Sequence, residues 1–402
     1  MSYYEPKEEH LTILKDDLFK RITTEELDKR IVREYESRKA IFLSMCSIWV
    51  EGNPSHIFVS SKSSTGKSYI AKACYDLFPD WLKTYRTKVS PEGFTYWHNA
   101  KYEPEWTWDG KLLYLEDCRQ NLLRSDVFKV MLSEGSLATV VYKQRAIDIQ
   151  INGRPVIALT TATGSPTDEV LNRFNLVECD ESEAQTKEIL KRQAQLAAEG
   201  ADSRYSSDLQ SALLCLKPIR VRVPFAQKIN SHFPSSDVRV RRDFPRFLSL
   251  IQASCALHQY DRMKKEVDNL QYHYATGQDY ENARESYKKM GVCTLLGITR
   301  TEREVYDGCR ELYEKKLLDL GDADKQKTLD GNGWASAGFT APEAMSHKPV
   351  LSQGKFYEAL GRLVEKGLLS TEWVTNPESK RKNTLYVVNN YDGIKLPSYD
   401  SL

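Results

Sequence analysis

The stretch Ser61-Lys62-Ser63-Ser64-Thr65-Gly66-Lys67-Ser68 follows the apolar run Ile57-Phe58-Val59 and opens a segment in which Ile70, Ala73, Cys74 and Leu77 recur at helical spacing. A loop between a buried strand and a helix can hold phosphate. Backbone N–H groups and the helix amino terminus attract the anion, a lysine reaches the outer phosphates, and a Ser or Thr hydroxyl ligates Mg²⁺. The spacing matches G-x-x-x-x-G-K-[ST] except at the first position, where Ser61 replaces glycine. On this reading Ser61, Ser63, Ser64, Thr65, Gly66, Lys67, Ser68 and Tyr69 line a nucleotide site, with Lys67 on the phosphates and Ser68 on the metal. A polar turn between strand and helix is the plainer reading of this segment alone.

A second feature makes the first one informative. In "LLYLED" the apolar run Leu112–Leu115 ends in Glu116 and Asp117, at the carboxyl end of a strand, where open α/β sheets bind ligands. Glu116 would hold the metal, directly or through water, and Asp117 would polarise an attacking water. The two acids stand in reversed order relative to the usual Asp-Glu of such sites.

Several elements must position these groups. Apolar spacing from Glu25 to Trp49 predicts two helices leading into the strand at Ile57. A helix is expected from Asp126 to Leu132, stopping at Gly135, and "ATVVYKQRAIDIQING" alternates about a tip near Lys143 to Arg145, which predicts a hairpin. "RPVIALTTAT" reads as a third buried strand, and a charged helix follows from Glu181 to about Ala198. Strands and helices in this order point to a parallel α/β sheet. From Leu209 to Met290 the pattern is mostly helical, and the chain closes with helices and two strands around a charged turn, a winged helix-turn-helix pattern. There Ser352 would cap a recognition helix carrying Gln353, Lys355, Phe356 and Arg362, while Lys380, Arg381 and Lys382 would sit at a wing tip. Lys143 and Arg145 suit contact with DNA phosphates at the hairpin tip.

Composition bounds the rest. A chain of 402 residues with 41% hydrophobic content suggests two or three domains. Lys+Arg 57 against Asp+Glu 56 confines any nucleic-acid surface to a local patch. The eight cysteines form no C-x-x-C pair, which fits buried thiols in a reducing compartment. No stretch has the apolar length of a signal peptide core or membrane span, so a cytoplasmic protein without a membrane partner is expected.

"VLNRFNLVECDES" resembles the arginine-finger segment of the minichromosome maintenance (MCM) family of AAA+ replicative helicases, where an Arg precedes Phe and a strand. "LSEGSLATVVYKQRAIDIQINGRPVIALTTAT" is similar to that family's pre-sensor-1 hairpin running into the sensor-1 strand. "IVREYESRKAIFLSM" resembles its adenine-pocket segment, and "RVRRDFPRFLSLIQASCALH" its sensor-2 helix. The resemblance covers residues 30 to 290. It departs at sensor 1, where Thr161 is the nearest match to the family's Asn, and in lacking the amino-terminal zinc and OB-fold part, as in the shortened helicases of mobile elements.

The resemblance implies an α/β fold: an AAA+ P-loop ATPase core (31–208) after an amino-terminal helical extension (1–30), a helical lid (209–297) and a C-terminal winged helix-turn-helix (298–402). It implies ATP and Mg²⁺, catalytic roles for Lys67, Glu116, Asp117, Thr161 and Arg173, metal ligation by Ser68 and Glu116, and a sensor 2 at Arg242 or Arg246 on the nucleotide. It further implies a DNA helicase working as a homo-hexamer around single-stranded DNA, with duplex met by the winged helix and a primase or nuclease as partner. An AAA+ regulator or loader that hydrolyses ATP without unwinding is the other ATPase reading. A non-catalytic DNA-binding protein with a degenerate nucleotide site is the third.

Overall fold

The computed structural model describes residues 3–60, 66–132, 136–142, 145–161, 172–200, 203–233, 240–296, 298, 300–319, 337–347, 352–375, 382–389 and 396–402. The chain divides into two units, Met1–Thr294 with Ile394–Leu402, and Leu295–Gly393.

In the first unit the strands run β1 (Ile57–Ser60), β2 (Lys83–Arg86), β3 (Leu112–Leu115), then the hairpin β4 (Ser136–Tyr142) and β5 (Arg145–Ile151), then β6 (Val156–Thr160) and β7 (Asn175–Glu178). Five of them form an all-parallel sheet in the order β2-β3-β6-β1-β7. All residues of β3 and β6 and the first three of β1 are buried, the continuous apolar pattern of strands covered on both faces. On one face Phe58, Leu113, Leu115, Ile157 and Leu159 pack with Phe128, Met131 and Phe174. Helices Tyr35–Met45 and Lys67–Asp76 pack on β1 and β6. Edge strand β2 is half-exposed and mostly polar, Lys-Thr-Tyr-Arg, so it carries no apolar pattern to announce it.

Upstream of the sheet, the first of the two expected helices is broken. A helix (Leu18–Arg21), a π turn (Ile22–Glu26) and a 3-10 turn (Leu27–Lys29) lead to Arg33 and Glu34, both at positive φ, before Tyr35–Met45 begins. Glu34 is held there by Ser37, whose hydroxyl donates to one carboxylate oxygen (2.6 Å), and by the Asp180 N–H on the other (2.6 Å).

The Trp-rich stretch supports the foot of the β4–β5 hairpin. Ala100 and Trp108 donate backbone N–H groups to Gln150 and Asn152 (2.7 and 2.9 Å), and His98 stacks on Trp106 with ring centroids 3.8 Å apart. At the hairpin's far end Tyr142 pairs with Arg145; Lys143 lies outside the described residues.

The segment read as mostly helical holds the helices Ser207–Leu213, Val240–Leu257 and Gly277–Leu296, but also a small sheet of β8 (Arg220–Arg222), β9 (Lys264–Val267) and β10 (Leu270–Tyr274) in the order β8-β10-β9. The helical pattern was diluted here by alternating Lys, Glu and Tyr, and the turn Asp268-Asn269, with φ of +52° and +62°, closes a two-residue hairpin. The last residues return to this unit: Tyr280 donates to the Pro397 carbonyl (2.8 Å), and Tyr399 packs on Phe225.

The second unit contains helices Arg300–Asp319, Ala341–His347 and Gln353–Glu365, followed by β11 (Leu369–Thr375) paired antiparallel with β12 (Lys382–Val388). Phe339 bridges to Tyr386. Phe356, Ala359, Leu360 and Leu363 put one stripe of the third helix into a core with Val305, Cys309 and Leu369. Ser352 stands at the N-cap of that helix without a side-chain cap bond.

Candidate functional site

Because β1, β3, β6 and β7 are parallel, their carboxyl ends share one edge. Registry lines up Glu116 beyond Leu115 with Thr160 beyond Leu159, and places Ser60 beside Glu178. Strand β6 lies between β1 and β3, which separates the loop strand from the acid-ended strand by two inter-strand spacings, about 10 Å. That gap has the width of a phosphate group and its metal ion.

Ser61, Ser63, Ser64 and Thr65 lie outside the described residues. The loop's end is defined: Gly66 caps the helix Lys67–Asp76 with φ +85°, and a Cβ there would meet nothing within 4 Å. Glycine is therefore needed for its backbone conformation, not for space. Lys67 is buried at 6% exposure. Tyr69 is exposed, and its hydroxyl donates to the Arg30 carbonyl (3.0 Å).

Across the gap, Glu116 accepts a hydrogen bond from the Tyr85 hydroxyl, and that carboxylate pushes the Tyr85 pKa up to about 12. Asp117 adopts φ +48°, a left-handed conformation that a non-glycine residue keeps only when its surroundings hold it. The hold comes from Thr160, whose Oγ1 accepts the Asp117 N–H (3.1 Å) and whose carbonyl accepts the Cys118 N–H (2.8 Å). The same Oγ1 is 3.5 Å from the Ser68 hydroxyl. Thr160, one residue before the expected Thr161, thus joins the phosphate-loop helix to the acid pair; Thr161 is buried beside it. Tyr114 adds a second tie, donating to the Ser68 carbonyl (3.3 Å).

Arg173, Arg242 and Arg246 are not at this edge. They line a cavity of about 480 Å³ with Arg154, Arg241 and His56. His56 and Asn175 mark the amino ends of β1 and β7, so this cavity lies at the opposite edge of the sheet; Asn175 alone is three residues, about 10 Å, below the level of Glu178. Arg173 donates to the Lys129 carbonyl (2.9 Å). Arg246 is bound by Asp243 (2.9 Å), whereas Arg242 is exposed. Arg154 donates to the Gly52 carbonyl (2.6 Å). It enters from the turn Asn152-Gly153-Arg154, where Gly153 has φ +75° and packs on Asp109. Its only sequence signal was a Gly-Arg-Pro turn between two strands; Tyr85, on the unannounced strand β2, had none.

Of the residues expected on DNA, Arg145 is exposed at the start of β5 and Lys355 is exposed on the helix Gln353–Glu365. Lys382 opens β12; Lys380 and Arg381 lie outside the described residues. Arg362 is bonded to Glu302 (3.3 Å) and Glu358 (2.8 Å), which occupies its guanidinium within the fold.

The carboxyl edge offers a hydroxyl, a carboxylate pair and a buried lysine. This hard oxygen set suits Mg²⁺, which keeps waters and shares one or two protein ligands with phosphates. Among the described residues no cluster of three His, Cys, Asp or Glu forms an all-protein metal cage, and no helix is long and apolar enough to cross a membrane.

Over residues 6–213, just over half of the chain, the sequence matches the family described as the MTBMA_p00010 P-loop domain. No curated protein matches the chain.

Proposed function

The chain belongs to the MTBMA_p00010 P-loop domain family, and on that premise we propose that it is an ATP-driven DNA motor, a ring-forming helicase of the MCM-like AAA+ kind whose active sites are completed between neighbouring copies. A P-loop domain is a nucleotide-binding one, and hydrolysis is the activity it generally serves. The observation that carries the finer reading is the division of the machinery across the sheet. Lys67, Ser68, Glu116 and Asp117 lie at one edge, and Arg173, Arg242 and Arg246 at the other. Cations so placed cannot reach their own loop, but head-to-tail packing brings one edge against the opposite edge of the next copy and closes a ring.

In this arrangement Lys67 supplies a fixed charge for the outer phosphates, Ser68 and Glu116 would hold Mg²⁺, and Asp117 orients the attacking water and accepts its proton. Bound Mg²⁺ would offset charge on the phosphates. The neighbour's Arg173 stabilises the charge that develops on transfer. Arg242, exposed at the cavity, is the better placed of the two sensor-2 candidates, because Arg246 is held by Asp243. The hairpin with Lys143 and Arg145 engages single-stranded DNA, residues 209–297 act as lid, and the second unit, with its described helices and the β11–β12 ribbon, serves as a winged helix with Lys355, Lys380, Arg381 and Lys382 toward duplex.

The test is hydrolysis of Mg²⁺-ATP with and without single-stranded DNA, beside strand separation of a forked duplex. DNA-stimulated turnover and unwinding are expected, and Lys67→Ala should lower turnover by roughly 10²–10³. Arg173→Ala should also be nearly inactive, yet mixing it with Lys67→Ala should restore part of the activity, since mixed interfaces unite an intact loop with an intact Arg173. Wild-type turnover in Lys67→Ala would sink the assignment. Exchange of subunits without recovery would place Arg173 outside a shared site, and hydrolysis without unwinding would favour a regulator or loader.

A further inference from the structure

The sheet β8-β10-β9 takes no part in the nucleotide edge or the arginine cavity. Its register decides what each face presents. Arg220, Tyr272 and Lys265 stand in one row across the three strands, and Arg222 and Tyr274 in the next; residues paired across neighbouring strands share a face. The guanidinium of Arg222 lies 4.3 Å from the centre of the Tyr272 ring, and the Lys265 ammonium 5.5 Å from that of Tyr274. Arg222, Lys265 and Leu270 are exposed, and Arg220, Tyr272 and Tyr274 are half-buried.

On the other face His273 is buried and Gln252 donates to the Val221 carbonyl (3.3 Å), while Lys264, Glu266 and Gln271 are exposed. Carboxylates are scarce on the face that carries Tyr272 and Tyr274. Arg220 pairs with Glu51 (2.7 Å), while Glu266, also exposed, alternates to the opposite face beside Lys264 and Asp268 occupies the turn. Three cations against one carboxylate, interleaved with two aromatic rings on one face of the sheet, are complementary to a polyanion that also offers flat apolar faces.

We propose that this face binds single-stranded nucleic acid, with phosphates on Arg220, Arg222 and Lys265 and bases stacked on Tyr272 and Tyr274. Every base has a π-face that can stack on a tyrosine, and arginine supports both phosphate contact and stacking. A duplex keeps its base faces occupied, so it could use the cations but not the rings. An acidic peptide would likewise leave the rings idle. The surface is separate from the β4–β5 hairpin and needs no nucleotide, so it goes beyond the motor reading and does not fail with it.

The test uses the full chain without nucleotide, titrated with a fluorescent oligo-dT strand and a duplex of equal length at several salt concentrations. Arg222→Ala with Lys265→Ala should weaken single-strand binding and shrink the slope of log K against log salt by about 1.4, roughly 0.7 per phosphate contact. Tyr272→Leu with Tyr274→Leu should weaken single-strand binding about tenfold or more at unchanged slope, with little effect on duplex. In the unmutated chain, a strand carrying 5-iodouracil should photo-crosslink within residues 264–274. Unchanged affinity and slope in both variants, equal loss of duplex and single strand in the tyrosine variant, or crosslinks confined to other segments would each overturn the proposal. So would competition by polyglutamate as effective as competition by the oligonucleotide.

Discussion

The hydroxyl of Thr160 touches both halves of the carboxyl edge, accepting the Asp117 N–H and standing 3.5 Å from Ser68. Valine would keep its shape and remove the acceptor, leaving the N–H of a residue at φ +48° without its clamp. A donor so abandoned costs about 1–3 kcal/mol. Thr160→Val should therefore lower ATP turnover by about tenfold or more, and Thr161→Val should do less. Steady-state kinetics of the two variants beside urea unfolding checks this; equal effects would mean that Thr160 is not the connecting group. The spacing narrowed the choice to the end of this strand, because an apolar run ending in polar residues is a local signal. It could not distinguish neighbouring threonines, since which one faces Asp117 depends on registry with β3, a strand separated from it by the hairpin.

At the scale of elements, the turn Asn152-Gly153-Arg154 carries the β4–β5 hairpin into β6. A Cβ on Gly153 would lie 2.3 Å from Thr107 Oγ1 and 2.6 Å from the Asp109 backbone nitrogen, at φ +75°. Neither the strain nor the backbone clash can be relieved by a side-chain shift. Gly153→Ala should cost about 2–4 kcal/mol, whereas Gly66→Ala, with open space around it, should cost about 1–2 kcal/mol for its φ alone. Urea midpoints of the two variants decide the order, and equal losses would show that the turn is not tightly seated. The hairpin itself was legible in its alternation of β-branched and polar residues. Its seat on Trp108 was not, because the Trp-rich stretch has neither helical nor strand periodicity and takes its shape from packing.

For the whole molecule, buried histidines set an acid limit. Burial pushes the pKa of His56 down to about 4; its Nε2 bonds the Leu132 carbonyl and its Nδ1 accepts the Ile157 N–H, so the neutral ring joins β1 to β6. His273 is also held near 4, by burial and by Lys264 and Lys217. Burial disfavours charge on His258 as well, but Asp17 and Asp279 outweigh it and raise its pKa. Between pH 6.5 and 4 the unfolded chain binds protons that folded His56 and His273 refuse, so stability falls as pH falls through this window. His258 acts oppositely, adding stability that is full below pH 6.5 and lost as pH rises through its raised pKa. His56 alone is worth about 3 kcal/mol across the window. His56→Gln, which cannot titrate, should roughly halve the dependence of the urea midpoint on pH between 6.5 and 4, leaving the part that His273 contributes. A slope equal to that of the parent chain would contradict the assignment.

What the sequence determined by itself was local: a strand, a loop ending in Gly66-Lys67-Ser68 and a helix, a buried strand ending in Glu116-Asp117, and a hairpin before β6. Each is written in spacing over a few residues, where apolar runs and alternation report burial directly. Tertiary structure alone decided the rest. It placed β6 between β1 and β3, set Thr160 between Ser68 and Asp117, gathered Arg154, Arg173, Arg242 and Arg246 into one cavity at the far edge, and folded Lys264–Tyr274 into a ribbon. The order of parallel strands depends on hydrogen bonds between segments distant along the chain, and a polar ribbon depends on what it pairs with, so neither leaves a period in the residues that form it.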